Sequence, residues 1–308
     1  MHILITGGAG FIGSNLAKHA LRRGHDVTVL DDLSTGYREN VDEAAVRFIE
    51  GTVTDPDTVS VALQGVSAVV HLAALGSVPR SISDPIASHH ANINGTINLL
   101  EMMRRADVKQ LSFASSSSVY GKNPAMPKSE REWVRPMSPY AVTKLAGEQY
   151  VLAYQEAFGF STTAFRFFNV YGPGQRAGHA YAAVIPIFLE ALRRGDALPI
   201  NGDGTQTRDF TFVDTVCAAL LQSTERGVSI GEPVNLAFGT NTSLLDLISS
   251  IEDVTGLSAQ IEYRPPRVGD VPHSQALNAK LVEHFPDVGP TPLTTGIART
   301  WEWIRSRM

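Results

Sequence analysis

The chain opens Met1-His2-Ile3-Leu4-Ile5-Thr6-Gly7-Gly8-Ala9-Gly10-Phe11-Ile12-Gly13, and the reading of this stretch decides the fold. His2–Thr6 is a short, almost unbroken aliphatic and β-branched run, the pattern of a strand covered on both faces. Gly7, Gly10 and Gly13 follow at GxxGxxG spacing. In such a turn Gly7 permits the reversal, Gly10 lets backbone approach a pyrophosphate, and Gly13 allows close helix–strand packing. A helical pattern then runs over 11–23, and its N-terminus offers free N–H groups and the positive end of a dipole. Strand, glycine turn and helix together read as a dinucleotide-binding unit.

Working outward, a second strand over 26–30 runs into Asp31-Asp32, and Asp31 lies 18 residues after Gly13. A carboxylate there accepts bonds from an adenosine ribose and repels a 2′-phosphate, which favours NAD over NADP. Further strand runs at 46–50, 68–71, 110–114 and 162–166 alternate with helical patterns at 84–105 and 139–158. Repeated strand–helix units imply right-handed crossovers. The fold class expected is therefore α/β, a doubly wound parallel-sheet Rossmann domain with a smaller mixed α/β C-terminal substrate lobe. The boundary is expected at 168/169, with a return segment to the first domain near 209–240 and a lobe over 169–308. Beyond Asn169, glycine and proline punctuate the rhythm in YGPGQR, NGDGTQTRDF and YRPPRVGD. Ligands in such folds sit beyond the carboxyl ends of the strands.

Composition narrows the partners. The 308 residues carry 26 Lys+Arg against 31 Asp+Glu, a net charge of -5, with no long basic run, so nucleic acid is not an expected partner. The sole cysteine, Cys217, cannot form an internal disulfide, which suits the reducing cytoplasm. No uncharged apolar run reaches membrane-spanning length, and the buried-strand start leaves no room for a signal peptide. No metal is expected: His89 and His90 are adjacent and diverge on a helix, with no acidic or thiol cluster beside them.

The chemistry is carried by two motifs. Ser138-Pro139-Tyr140-Ala141-Val142-Thr143-Lys144 opens a helix, with Tyr140 and Lys144 four apart on one face. A free phenol has a pKa of about 10, too high for a base at neutral pH. An adjacent ammonium and a bound nicotinamide cation both favour the phenolate. Ser115-Ser116-Ser117-Ser118 follows a buried strand, where hydroxyls suit a polar site and one can bond the reacting oxygen beside Tyr140.

TGGAGFIG, the acid at Asp31, HLAA at 71–74, NING at 92–95, SSSSVYG, YAVTK, RFFNVYGPG and RPPRVGD occur in an order that resembles the extended short-chain dehydrogenase/reductases, in their sugar-nucleotide epimerase/dehydratase branch. The resemblance spans nearly the whole chain. It implies a tightly held NAD, contacted by Gly7, Gly10, Phe11, Ile12, Gly13, Asp31, Asp32, Thr52, Val53, Leu72, Ala73, Ala74, Asn92, Tyr140 and Lys144. Thr52 stands where the family usually has an Asp for the adenine amino group. The resemblance also implies catalysis by Tyr140, Lys144 and Ser116, through a transient 4-keto sugar and NADH.

The dehydratase branch carries Asp-Glu after its catalytic Thr, where this chain has Ser117 and Ser118; hydroxyls are poor acid/base groups for eliminating water, so 4-epimerisation is the expected reaction. GSVPRS at 76–81, AYAAVIP at 180–186 and GDVPHS at 269–274 are similar to the bacterial UDP-N-acetylglucosamine 4-epimerases. That similarity implies a substrate pocket of Gly76, Ser77, Ser116, Ser117, Asn169, Ala183, Val184, Pro199, Asn201, Arg208, Arg267, Asp270 and Ser274. Ser274 matches the site where glucose-restricted members carry a bulky Tyr, so room is left for an N-acetyl group. Two other readings stay open within the fold: a dehydratase or UDP-glucuronate 4-epimerase, and a dinucleotide sensor without turnover, against which the Tyr140–Lys144 pair argues. A homodimer is expected, built on the helices at 84–105 and 139–158.

Overall fold

The computed structural model describes residues 1–177, 183–266 and 272–307. Seven parallel strands form one sheet: β1 (His2–Thr6), β2 (Asp26–Asp31), β3 (Arg47–Glu50), β4 (Ala68–His71), β5 (Gln110–Ser116), β6 (Ser161–Phe167) and β7 (Val234–Leu236). Their spatial order is β7-β6-β5-β4-β1-β2-β3. The order reverses between β1 and β4, and that switch point opens a crevice beyond the strand ends.

The apolar runs are explained by their two covered faces. Along β1, Ile3 and Ile5 enter one core cluster, whereas Leu4 enters the other. The first cluster joins α1 (Phe11–Arg22) to the C-terminal part of the chain through Leu16, Phe165, Val216 and Phe285. The second is roofed by α2 (Pro56–Ala62), α5 (Gly95–Arg105) and α6 (Pro139–Phe158), with Val59, Leu99, Phe113 and Val151 buried together. Alternation with a period of two sends successive side chains to opposite faces, so a strand buried on both sides must be apolar throughout.

The expected helix over 84–105 is helical without interruption from Pro85 to Arg105, but it widens into a π-helical stretch in the middle. Helix α3 (Val78–Ser83) is followed by α4 (Pro85–His89), then a π-helical stretch His90–Asn94, then α5. The widened turn frees Asn92 to point its amide inward, where it accepts from Leu75 N at 2.7 Å and donates to Thr143 Oγ1 at 2.9 Å. Helix α6 begins where its sequence dictates: Ser138 Oγ accepts from Ala141 N at 3.2 Å, and Pro139 occupies the first turn.

The smaller lobe contains α7 (Val184–Arg194) and a parallel pair of strands, Leu198–Asn201 beside Ile261–Arg264. Helix α8 (Val213–Glu225) returns to pack on α1, and β7 pairs in parallel with β6. Buried Asp209 pins the junction: its carboxylate accepts from Gly239 N at 2.9 Å, Thr240 Oγ1 at 2.8 Å and Ala276 N at 3.0 Å. Among the described residues no helix is long and apolar enough to cross a membrane, and no group of His, Cys, Asp and Glu could hold a metal ion.

Candidate active site

A cavity of about 550 Å³ lies over the switch point. Its wall gathers Gly7, Gly10, Phe11, Ile12, Gly13, Asp31, Asp32, Thr52, Val53, Leu72, Ala73, Ala74, Gly76, Ser77, Ser116, Tyr140, Lys144 and Ala183. These come from the ends of β1 to β5 and the loops after them, from helix α6 and from the residue before α7, so the sheet topology brings most of them together.

The glycines make the floor. Gly7 has φ +71°, in the left-handed region, and a Cβ there would meet Ala73 N at 2.8 Å. A Cβ on Gly13 would meet Gly7 O at 2.2 Å, so the helix can start this close to the turn only as glycine. Helix α1 has no side-chain cap and no acidic residue in its first turn, which leaves its N–H groups and dipole facing the cavity. Buried Asp31 accepts from Ala9 N through Oδ2 at 2.9 Å and from Leu33 N through Oδ1 at 2.8 Å. Each oxygen keeps a second lone pair. Burial pushes this carboxyl above its ordinary range, while the backbone donors pull it down.

At the far wall, Arg176 stacks its guanidinium 3.6 Å over the Tyr37 ring and pairs with Glu39. Arg176 Nε and the neighbouring Gln175 Oε1, on residues of the cavity wall, are buried polar atoms with no hydrogen-bond partner among the described residues. Unsatisfied buried polar groups are costly, and a polar ligand here would satisfy them. A capless helix N-terminus for a pyrophosphate, a carboxylate for a ribose and these orphaned atoms fit a dinucleotide.

At the reacting end, Tyr140 is half-buried and faces Ser116. Burial pushes its phenol up from the ordinary value, and the hydrogen bond with the Ser116 side chain pulls it back. Ser116 Oγ also lies 2.8 Å from Ser118 Oγ. Lys144 is buried, donates from Nζ to Ala114 O at 2.9 Å, and has its ammonium pushed down to about 8 by burial. In the chain alone the net shift of the Tyr140 phenol is upward, burial outweighing the hydrogen bond with Ser116.

A second cavity of about 230 Å³ opens in the lobe and shares Ala183 with the first. It collects Asn169, Val184, Pro199, Asn201 and Arg208. Asn169 holds a left-handed backbone with φ +28° and donates from Nδ2 to Asp209 O at 3.2 Å. Arg208 donates from its guanidinium to Thr207 O at 2.8 Å.

Three expected residues lie elsewhere. Asn92 lines neither cavity, because its amide is consumed in tying Leu75 to Thr143. Ser117 enters a short 3-10 turn after β5 and also lines neither. Ser274 is half-buried, donates its backbone N–H to Thr207 O at 3.2 Å next to cavity-lining Arg208, and is itself on neither cavity wall. Arg267, Asp270 and the segments around 178–182 and 267–271 lie outside the described residues. Sequence reasoning missed Ser34, Thr35, Tyr37, Asn40, Arg80, Gln175 and Arg176 on the cavity wall. Of these, Gln175 and Arg176 fall in the glycine-punctuated YGPGQR and Arg80 in GSVPRS; the others carried no signal.

A nucleotide-cofactor oxidoreductase-type site on a Rossmann sheet is thus what the geometry defines. A family model described as the NAD dependent epimerase/dehydratase family matches residues 3–237. The UDP-glucose 4-epimerase of Mycolicibacterium smegmatis is 38% identical over 100% of this chain and 99% of its own. The solved UDP-N-acetylglucosamine 4-epimerase of Methanobrevibacter ruminantium, in complex with UDP-N-acetylmuramic acid, superposes with TM-score 0.94 at 34% identity, covering 100% and 99% of the two chains. The UDP-glucuronic acid 4-epimerase of Bacillus cereus, in complex with UDP-glucuronic acid and NAD, gives TM-score 0.89 at 31% identity, covering 100% of both chains. The chain belongs to the NAD dependent epimerase/dehydratase family. It is an NAD-dependent enzyme.

Proposed function

We propose that the protein is a UDP-sugar 4-epimerase whose preferred substrates are UDP-GlcNAc and UDP-GalNAc, with UDP-Glc and UDP-Gal also accepted. The observation that carries this reading is that one cavity has Tyr140, Ser116 and Lys144 on its wall together with the glycine turn and Asp31, and shares Ala183 with a second cavity in the lobe. It is supported by relatives that are UDP-sugar 4-epimerases over the full chain length. NAD, when bound, supplies the group that accepts the C4 hydrogen with its electron pair and gives it back.

The rest is the work of the chain. The α1 N-terminus holds the pyrophosphate and Asp31 the adenosine ribose. Lys144 would hold the nicotinamide ribose, and the positive charge of bound NAD would favour the Tyr140 phenolate. Tyr140 Oη takes the proton from the sugar O4 and returns it, while Ser116 Oγ orients that oxygen. Asn169, Pro199, Asn201 and Arg208, with Arg267 and Asp270, hold the UDP moiety. Residues 1–168, with the return near 209–240, form the NAD-binding domain, and 169–308 predominantly the nucleotide-sugar lobe. The cytoplasm suits its one buried cysteine.

The N-acetyl preference rests on small residues at Gly76, Ala183 and Ser274. Ser274→Tyr is expected to lower kcat/KM for UDP-GlcNAc relative to UDP-Glc by about tenfold or more. Equal losses on both sugars, read by NMR of the product mixtures, would count against the gate.

The assembly is proposed to be a homodimer through α4 and α6. Ile86 is 78% exposed and Val142 51% exposed, a wasteful placement for a monomer. Light scattering at micromolar concentration is expected to give a dimer for the native chain and a monomer for Ile86→Asp/Val142→Arg. A native monomer would remove the proposal.

A further inference from the structure

His71, the last residue of β4, is 1% exposed, and no step above uses it. Leu72 and Ala73 after it line the larger cavity, but His71 does not. Its ring meets a threonine on each side: Nδ1 lies 2.6 Å from Thr6 Oγ1 and Nε2 3.0 Å from Thr96 Oγ1.

The donors can be assigned by elimination. Thr96 Oγ1 donates its one proton to Asn92 O at 2.6 Å, so it accepts from His71 Nε2–H. Nδ1 is then the acceptor. The Thr6 hydroxyl donates to it and receives Ala73 N–H at 3.3 Å. The Asn92 amide continues the run, donating from Nδ2 to Thr143 Oγ1 at 2.9 Å, and Thr143 Oγ1 donates to Tyr140 O at 2.8 Å. The run starts at Ala73 and the residue before Gly7, on the cofactor side. It ends on the backbone of Tyr140, crossing the π-helical stretch on the way.

We infer that His71, held as its Nε2–H tautomer, is a positioning residue that fixes the catalytic helix α6 against the cofactor wall and so sets the approach of Tyr140 to the sugar. The inference rests on the role proposed for Tyr140. An imidazolium would point N–H groups at both threonines and leave the Thr6 proton without an acceptor. Burial, with the Lys144 ammonium adding to it, pushes His71 down to about 3, so the tautomer persists at working pH.

Two measurements on the NAD-loaded enzyme test this. Long-range 1H–15N spectra of histidine-labelled protein, with the His71 signals identified by their loss in His71→Gln, are expected to show the Nε2–H tautomer from about pH 6 to 8. An Nδ1–H or doubly protonated ring would overturn the assignment. Thr96→Val breaks the run, whereas Thr96→Ser keeps the hydroxyl. Thr96→Val is expected to lower kcat about tenfold, leave KM for the UDP-sugar within about twofold and move the pH profile of kcat, with Thr96→Ser restoring all three. Unchanged kcat in Thr96→Val, or a loss that Thr96→Ser does not rescue, would overturn the positioning role. A native enzyme that converts no UDP-sugar would instead defeat the epimerase reading, and the tautomer spectrum still reports on His71 in that case.

Discussion

Tyr140→Phe is expected to cut kcat by about 10²- to 10⁴-fold while leaving NAD content and folding intact. The change removes one oxygen from a half-buried ring whose hydroxyl bonds the Ser116 side chain. Helix α6 is started by Ser138 and Pro139, not by the phenol, so its register survives. What is lost is the one group placed to move the O4 proton. Ser116 and Lys144 do not substitute: Ser116 Oγ is engaged with Ser118, and Lys144 Nζ is turned to Ala114 O. Product formation and NAD released on denaturation should be read on the same sample. A variant with full NAD and kcat within about threefold of native would remove Tyr140 from the chemistry.

Arg166→Leu is expected to lower the unfolding free energy by about 3–5 kcal/mol. Arg166 and Glu148 are 4% and 0% exposed and meet through two bonds, Nη2 to Oε1 at 2.7 Å and Nε to Oε2 at 3.0 Å. Glu148 also accepts from Ser115 Oγ at 2.6 Å, and the guanidinium lies 4.8 Å over the Tyr120 ring. Removing Arg166 leaves a carboxylate buried without its counter-charge, and desolvation then outweighs what remains of its hydrogen bonding. Replacing both partners, as in Glu148→Leu/Arg166→Leu, should cost less than the single change, because no charge is left stranded. Denaturant midpoints for the two variants check the order. A single variant within about 1 kcal/mol of native would show that the pair carries little.

The strands were legible because burial on both faces forces continuous apolar runs, and β1 to β6 fall within one or two residues of the runs that announce them. Strand β7 has only three residues, Val234–Leu236, too few for periodicity to mark. The helix at 84–105 was legible as a helix, but not its π-helical stretch, where Asn92 bonds Leu75 and Thr143; no pattern of apolar residues encodes that widening. The motif residues at strand ends were legible for the same reason as the strands, since topology carries each strand end to the crevice. Tyr37, Gln175 and Arg176 arrive from loops, where backbone geometry alone decides what faces the cavity. Asn92 shows the converse: it sits in a family motif, yet its amide is spent inside the protein.

The claim on which the account turns is that the C4 hydrogen leaves and returns without meeting solvent while Tyr140 handles the O4 proton. Incubating the enzyme in ordinary water with UDP-GlcNAc carrying deuterium at C4, and reading the products by NMR, tests it most directly. The account expects UDP-GalNAc with the deuterium still at C4. A C4 epimer that has exchanged its label for a solvent proton, or a stable 4-keto product with no epimer, would contradict it.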